Sequence, residues 1–126
     1  MADPVFFALV LLFLLQAKHM LADFFLQTPR MLRDRGVYAH MGRVQHAGLH
    51  ALGSVVAMVV VGVPFWLAVT VSLVEWVAHF HIDWAKGRWS DYKGHGPEHA
   101  GYWRAFGFDQ ALHQWTYLVM LWAVCP

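Results

Sequence analysis

The sequence predicts an all-α fold, a four-helix bundle embedded in a membrane, and three observations carry that prediction. The first is composition: of 126 residues, 59% are hydrophobic and only 13% charged, with a mean hydropathy of +0.43. A soluble domain carries about 25% charged residues. The second is the length of the apolar runs, which exceed what a small soluble core needs and reach the length of a membrane span. The third is a repeated pairing of ligand-type side chains: His19 and Asp23, His46 and His50, His79 and Asp83, Asp109 and His113. Residues four apart share one face of a helix, so four helices each offer two such groups, the pattern of a metal-binding bundle. The chain reads as a single transmembrane domain over residues 1–126.

The first span is expected over about 4–27. Pro4 suits a first helical position and Pro29 prevents continuation. Val5 to Leu15 is unbroken apolar sequence, after which Gln16, His19, Asp23 and Gln27 recur at spacings of three and four. The opening MADPVFF lacks the basic stretch of a cleaved signal peptide, so this run is read as a retained helix. A basic connection follows over 28–43, with Arg30, Arg33, Arg35 and Arg43 against Asp34 and a short interfacial helix expected near Met31 to Val37.

The second span, about 44–62, sets His46, His50 and Ser54 four apart, while Gly48, Ala51, Gly53 and Ala57 would let helices approach closely. Gly62-Val63-Pro64 breaks the apolar run. The third span, about 65–84, ends in EWVAHFHIDWAK, where Glu75 lies one turn deeper than His79 and Asp83. Residues 87–107, rich in Gly, Trp and Tyr, read as a long loop whose aromatic side chains sit at the headgroup level. The fourth span, about 106–124, carries Asp109 in its first turn, where the helix dipole favours an anion.

Charge supplies a separate argument about topology. Of the nine Lys and Arg residues, all but Lys18 fall in the connections 28–43 and 86–104. The positive-inside rule places both connections in the cytoplasm, 28–43 and 85–105, and both termini on the other side. All four pairs then lie within about two turns of one membrane face.

Ionisable side chains inside a membrane face the bundle interior, where they are paired, hydrated or metal-bound. The eight residues His19, Asp23, His46, His50, His79, Asp83, Asp109 and His113 exceed the needs of one ion, so one or two divalent metals are expected. Imidazole mixed with carboxylate points first to zinc, with iron or manganese as alternatives. Cys125, the single cysteine, excludes an internal disulfide and a thiolate metal site. Haem fits less well, because the carboxylates would have no role. Glu75 is a candidate base or relay, and Gln27 and Gln110 are candidates for supporting hydrogen bonds to ligands or substrate. Lys86 and Arg104 can meet an anionic headgroup. The competing readings are a His–Asp network that locks the bundle without metal, and a plain ion pair between Glu75 and Lys18. His40, His81, His95 and His99 lie off the stripe or in loops and read as interfacial. The basic residues are too dispersed for a nucleic-acid recognition patch, so no nucleic-acid partner is expected.

The motifs HMLADFFLQ (19–27), HAGLH (46–50), HFHIDWAK (79–86) and FDQALH (108–113) also resemble a known family, the small bacterial membrane proteins called domain of unknown function thirty-three-zero-seven. The resemblance spans nearly the whole chain and implies a multi-pass inner-membrane protein without supplying an activity. The motifs are similar in style to those of predicted membrane-bound metal-dependent hydrolases, an analogy of motif. The loop from Gly87 to Gly107 departs from the family pattern and could serve a partner. The expected function is metal-dependent hydrolysis of a lipid-linked or membrane-proximal ester or phosphoester. The alternatives are an accessory subunit of a larger membrane complex, with a structural His/Asp cluster, and metal or proton transport relayed through Glu75.

Overall fold

The computed structural model describes residues 3–125, and among these the only regular elements are helices. They are α1 (Pro4–Phe24), α2 (Pro29–Leu32), α3 (Met41–Val60), α4 (Phe65–Lys93) and α5 (Ala100–Val124). The four long helices form a ring in which α1 touches α3 and α5, and α4 touches the same two from the other side. Each helix thus presents one stripe inward and the rest of its surface outward.

Local chemistry explains where the elements begin and end. The Asp3 carboxylate accepts from the Val5 amide at 2.8 Å, with Pro4 in the first turn of α1. Thr28 caps α2 in the same way, accepting from the Met31 amide at 3.3 Å, with Pro29 behind it. This cap starts the short helix two residues earlier than expected, and Asp34, at φ 51°, bars its extension to Val37.

The reading of 87–107 as a long loop is overturned. Helix α4 runs on to Lys93 and α5 begins at Ala100, which leaves 94–99 as the connection. Gly87 suggested a break, but its missing side chain serves a close approach. A Cβ there would meet the Arg35 carbonyl carbon at 2.5 Å. The helix stops instead at Gly94, whose φ of 61° is the left-handed cap conformation.

The interior has two halves. At the end bearing both termini, Leu11, Leu15, Met58, Ala68, Met120 and Val124 make an apolar core. At the other end the buried residues include His19, His46, His50, His79, Asp109 and His113. The outer surface is apolar on every long helix, as at Phe13, Val56, Val74 and Trp122, the last 82% exposed. Buried ionisable residues in one half of the interior, together with large exposed apolar residues, depart from the pattern of a soluble protein.

Helices α1 and α4 are each long and apolar enough to cross a membrane. Helices α3 and α5, expected as spans, fall short of the same measure. Their inward stripes carry His46 and His50, and Asp109, Gln110, His113 and Gln114, which lower the average hydropathy of the whole helix.

Candidate metal centre

At the polar end, α1, α3, α4 and α5 bring seven of the eight expected ligand residues into one cluster. Two carboxylates organise it. Asp23 Oδ1 lies 2.9 Å from His50 Nε2 and 3.2 Å from His46 Nε2, and its Oδ2 lies 3.0 Å from His19 Nε2. Asp83 Oδ1 lies 3.1 Å from His113 Nε2, and its Oδ2 lies 3.1 Å from His79 Nε2 and 3.5 Å from His46 Nε2. Five imidazoles thus turn the same ring nitrogen inward. The rings crowd one another, with centroids 4.0 Å apart for His50–His79 and 4.1 Å for His79–His113.

This donor set suits a metal. Asp23, His46, His50 and His79 each offer an atom within 4.8 Å of every other, and His79, Asp83 and His113 form a second such group. Tetrahedral bonds of about 2.0 Å need donor atoms about 3.3 Å apart, a contraction within reach of side-chain rotation. His79 Nε2 is buried beside Asp83 yet makes no hydrogen bond of good geometry, as expected of an atom aimed at a shared centre. The two groups share His79, and the two carboxylates share His46, so any two ions here would be neighbours.

Asp109 stands at the margin. Its Oδ1 is 3.5 Å from His113 Nε2, while its Oδ2 lies 3.5 Å from Lys86 Nζ and accepts from Gln110 Nε2 at 3.2 Å. Gln110 Oε1 in turn accepts from His19 Nε2 at 3.1 Å. Gln27 Oε1 accepts from the Arg35 guanidinium at 2.6 Å. Glu75 lies deeper than the cluster and away from its cavity. Its Oε1 accepts from Lys18 Nζ at 2.5 Å, and the same ammonium donates to the His50 carbonyl at 3.1 Å. The ion pair weighed for Glu75 and Lys18 is therefore present, and it supports the helix that carries His50.

Two contributors escaped the sequence reading. Tyr117 is fully buried, with its hydroxyl 2.6 Å from His19 Nδ1. Its signal was available, because it extends the Asp109–His113 stripe by one more turn. With His19 Nε2 donating to Asp23, Nδ1 accepts the hydroxyl proton. With a metal at Nε2, the ring proton sits on Nδ1 and the hydroxyl oxygen accepts it. Arg35 is the second, and nothing local marks it. Buried Arg43 donates to the Arg35 and Val37 carbonyls, and Trp84 Nε1 donates to the Gly36 carbonyl at 3.2 Å. These bonds fold the 33–40 segment over the cluster.

The cluster opens toward that segment through a cavity of about 170 Å³. Asp23, His46 and Asp83 line its floor, and Gln27, Arg35, Lys86 and Gln110 its walls. Carboxylate and imidazole at the bottom, cations at the mouth: the arrangement can hold a cation and admit an anion above it. His40, His81, His95 and His99 lie outside the cluster. His81 Nε2 is 3.0 Å from the Tyr38 hydroxyl, and His95 stacks on His99 at 4.9 Å.

A family model described as "Protein of unknown function (DUF3307)" matches residues 9–125. No curated protein matches the chain, and no solved structure does. The likeness to membrane-bound metal-dependent hydrolases therefore rests on motif style alone.

Proposed function

The chain belongs to that family of unknown function, DUF3307, and from its own residues we propose a membrane-embedded, metal-dependent hydrolase acting on a phosphoester or ester at the membrane surface. The observation that carries the reading is the pair of carboxylates, Asp23 and Asp83, each at the centre of three imidazole nitrogens beneath a cavity walled by Arg35 and Lys86.

We read all four long helices as spans, with the cluster at the cytoplasmic face and both termini opposite, because the cations flank the cluster end. The outward apolar residues on α3 and α5 support this. Charged groups in such a setting are costly unless paired or metal-bound.

Asp23 with His46, His50 and His79 would hold one ion, with His19 against the other oxygen of Asp23, and Asp83 with His79 and His113 would hold the second; zinc is the first choice, iron or manganese the next. Bound there, divalent metal supplies a nucleophilic water near neutral pH and Lewis-acid stabilisation of the reacting oxygen. Arg35 and Lys86 neutralise an anionic substrate at the mouth, and Arg35 is held for this by Gln27. Gln110 and Tyr117 orient His19. Glu75 has no place at the reacting atoms; it is a positioning residue acting through Lys18.

A second reading has its own support. His50–Asp23 at 2.9 Å and His113–Asp83 at 3.1 Å are already within hydrogen-bond distance, which suits a structural network in an accessory subunit of a membrane complex. Elemental analysis of the full-length protein purified in detergent, with turnover of phosphomonoesters and lipid phosphates, separates the two. The hydrolase reading expects bound divalent metal and turnover abolished by chelation, restored by metal and lost in Asp23→Ala/Asp83→Ala. Absence of metal after reloading would overturn it in favour of the network.

A further inference from the structure

The polar cavity does not stand alone. Beside it, between α4 and α5, runs a groove of about 290 Å³. Ile82, Ala85, Trp89, Ala105, Phe108 and Leu112 line it, with Lys86 and Asp109 at its edge. Those last two also line the cavity over the cluster, so the two spaces meet at the Lys86–Asp109 pair. The groove opens sideways, since Phe108 is 69% exposed and Trp89 and Leu112 are also exposed. Its partner at the meeting point is a cation: Lys86 Nζ sits 3.5 Å from Asp109 and 4.8 Å above the Phe106 ring.

We propose that the substrate is a phosphate carried on a hydrocarbon chain, its tail lying in the α4–α5 groove and its head passing Lys86 into the cavity over the cluster. The proposal rests on the hydrolase reading for the fate of the head, but the binding geometry is independent of it. An anion in the cavity meets Arg35 and Lys86, and an apolar chain attached to it can extend past Lys86 into the adjoining apolar groove. A soluble phosphate would use the cavity and leave the groove idle. Lateral opening also suits a ligand arriving from the bilayer, because the tail need never cross water.

The test uses the full chain in phosphatidylcholine nanodiscs and dodecyl phosphate bearing a diazirine at the far end of its chain. On illumination, labelling is expected within residues 82–89 and 105–112, displaced by unlabelled dodecyl phosphate and not by dodecanol. Ala105→Phe fills the groove and is expected to reduce labelling several-fold, because the added ring takes the space the tail would occupy. Ala85→Leu serves as the second variant should the first fold poorly. Partitioning into the bilayer is the same for every variant and cancels. Labelling spread over the outward faces of all helices, labelling unchanged in both variants, or displacement by inorganic phosphate as effective as by dodecyl phosphate would each overturn the proposal. Metal content of the same preparation separates the two ideas. Local labelling without metal removes the hydrolase and keeps the lipid site, while metal with diffuse labelling removes only the lipid site.

Discussion

Asp23 and Asp83 each receive three imidazole nitrogens, and they share one of them, His46 Nε2, at 3.2 and 3.5 Å. The two halves of the cluster are thereby coupled. If each half holds an ion, full-length protein reloaded with zinc or manganese should carry about two per chain. Asp23→Asn and Asp83→Asn should each lose about one ion, and the double variant both, as read by elemental analysis after dialysis. Equal, background-level metal in all four proteins would count against the two-ion centre.

Tyr117 touches no expected ligand position except through His19. Replacing it by Phe keeps the buried ring and deletes the hydroxyl 2.6 Å from His19 Nδ1. Loss of such a supporting partner costs about 10–100-fold in metal affinity. Chelator competition should show that loss with unchanged stoichiometry at saturating metal. An unaltered affinity would mean that the hydroxyl serves packing alone.

The Lys18–Glu75 pair lies beneath the cluster, with Glu75 1% exposed. Removing one partner strands a buried charge, which destabilises by about 3–5 kcal/mol. Lys18→Met and Glu75→Leu should each lower stability by that order in detergent denaturation. The double variant should recover most of it. Additive losses would show that the two side chains act separately.

Gly87 allows α4 to press against the backbone at Arg35. Gly87→Ala should force the 33–40 segment outward at a cost of about 1–3 kcal/mol. Limited proteolysis should then cut at Arg33 or Arg35 faster than in the unaltered protein. Equal cutting rates would show that the segment does not depend on this contact.

Cys125 is exposed at the end of α5 and is the single cysteine. In intact cells a membrane-impermeant maleimide should reach it from outside. A Cys125→Ser/Lys93→Cys protein should be labelled only after the membrane is opened. The reverse pattern would invert the orientation.

Much of this protein could be read along the chain because its helices carry their information at a fixed period. HxxxD at 19–23 and 79–83, HxxxH at 46–50 and DxxxH at 109–113 declare one inward face per helix. Pro4, Pro29 and Pro64 mark three helix starts. Gly87 misled, because a glycine that permits backbone approach looks the same in sequence as one that ends a helix. The hydropathy of α3 and α5 falls short of the spans expected for them, because the inward polar stripe lowers the average of the whole helix.

By itself, the sequence determined the helical class, the apolar exterior and which side chains share each inward face, since these follow from composition and a 3.6-residue period. Only the tertiary structure decided how those faces meet. It joined His46 to both carboxylates, set Lys18 against Glu75 across 57 residues, and brought Arg35 over the cavity through Arg43, Trp84 and Gly87. The physical reason is that ring order and rotation of packed helices depend on side-chain fit between segments far apart in the chain, which no local period encodes.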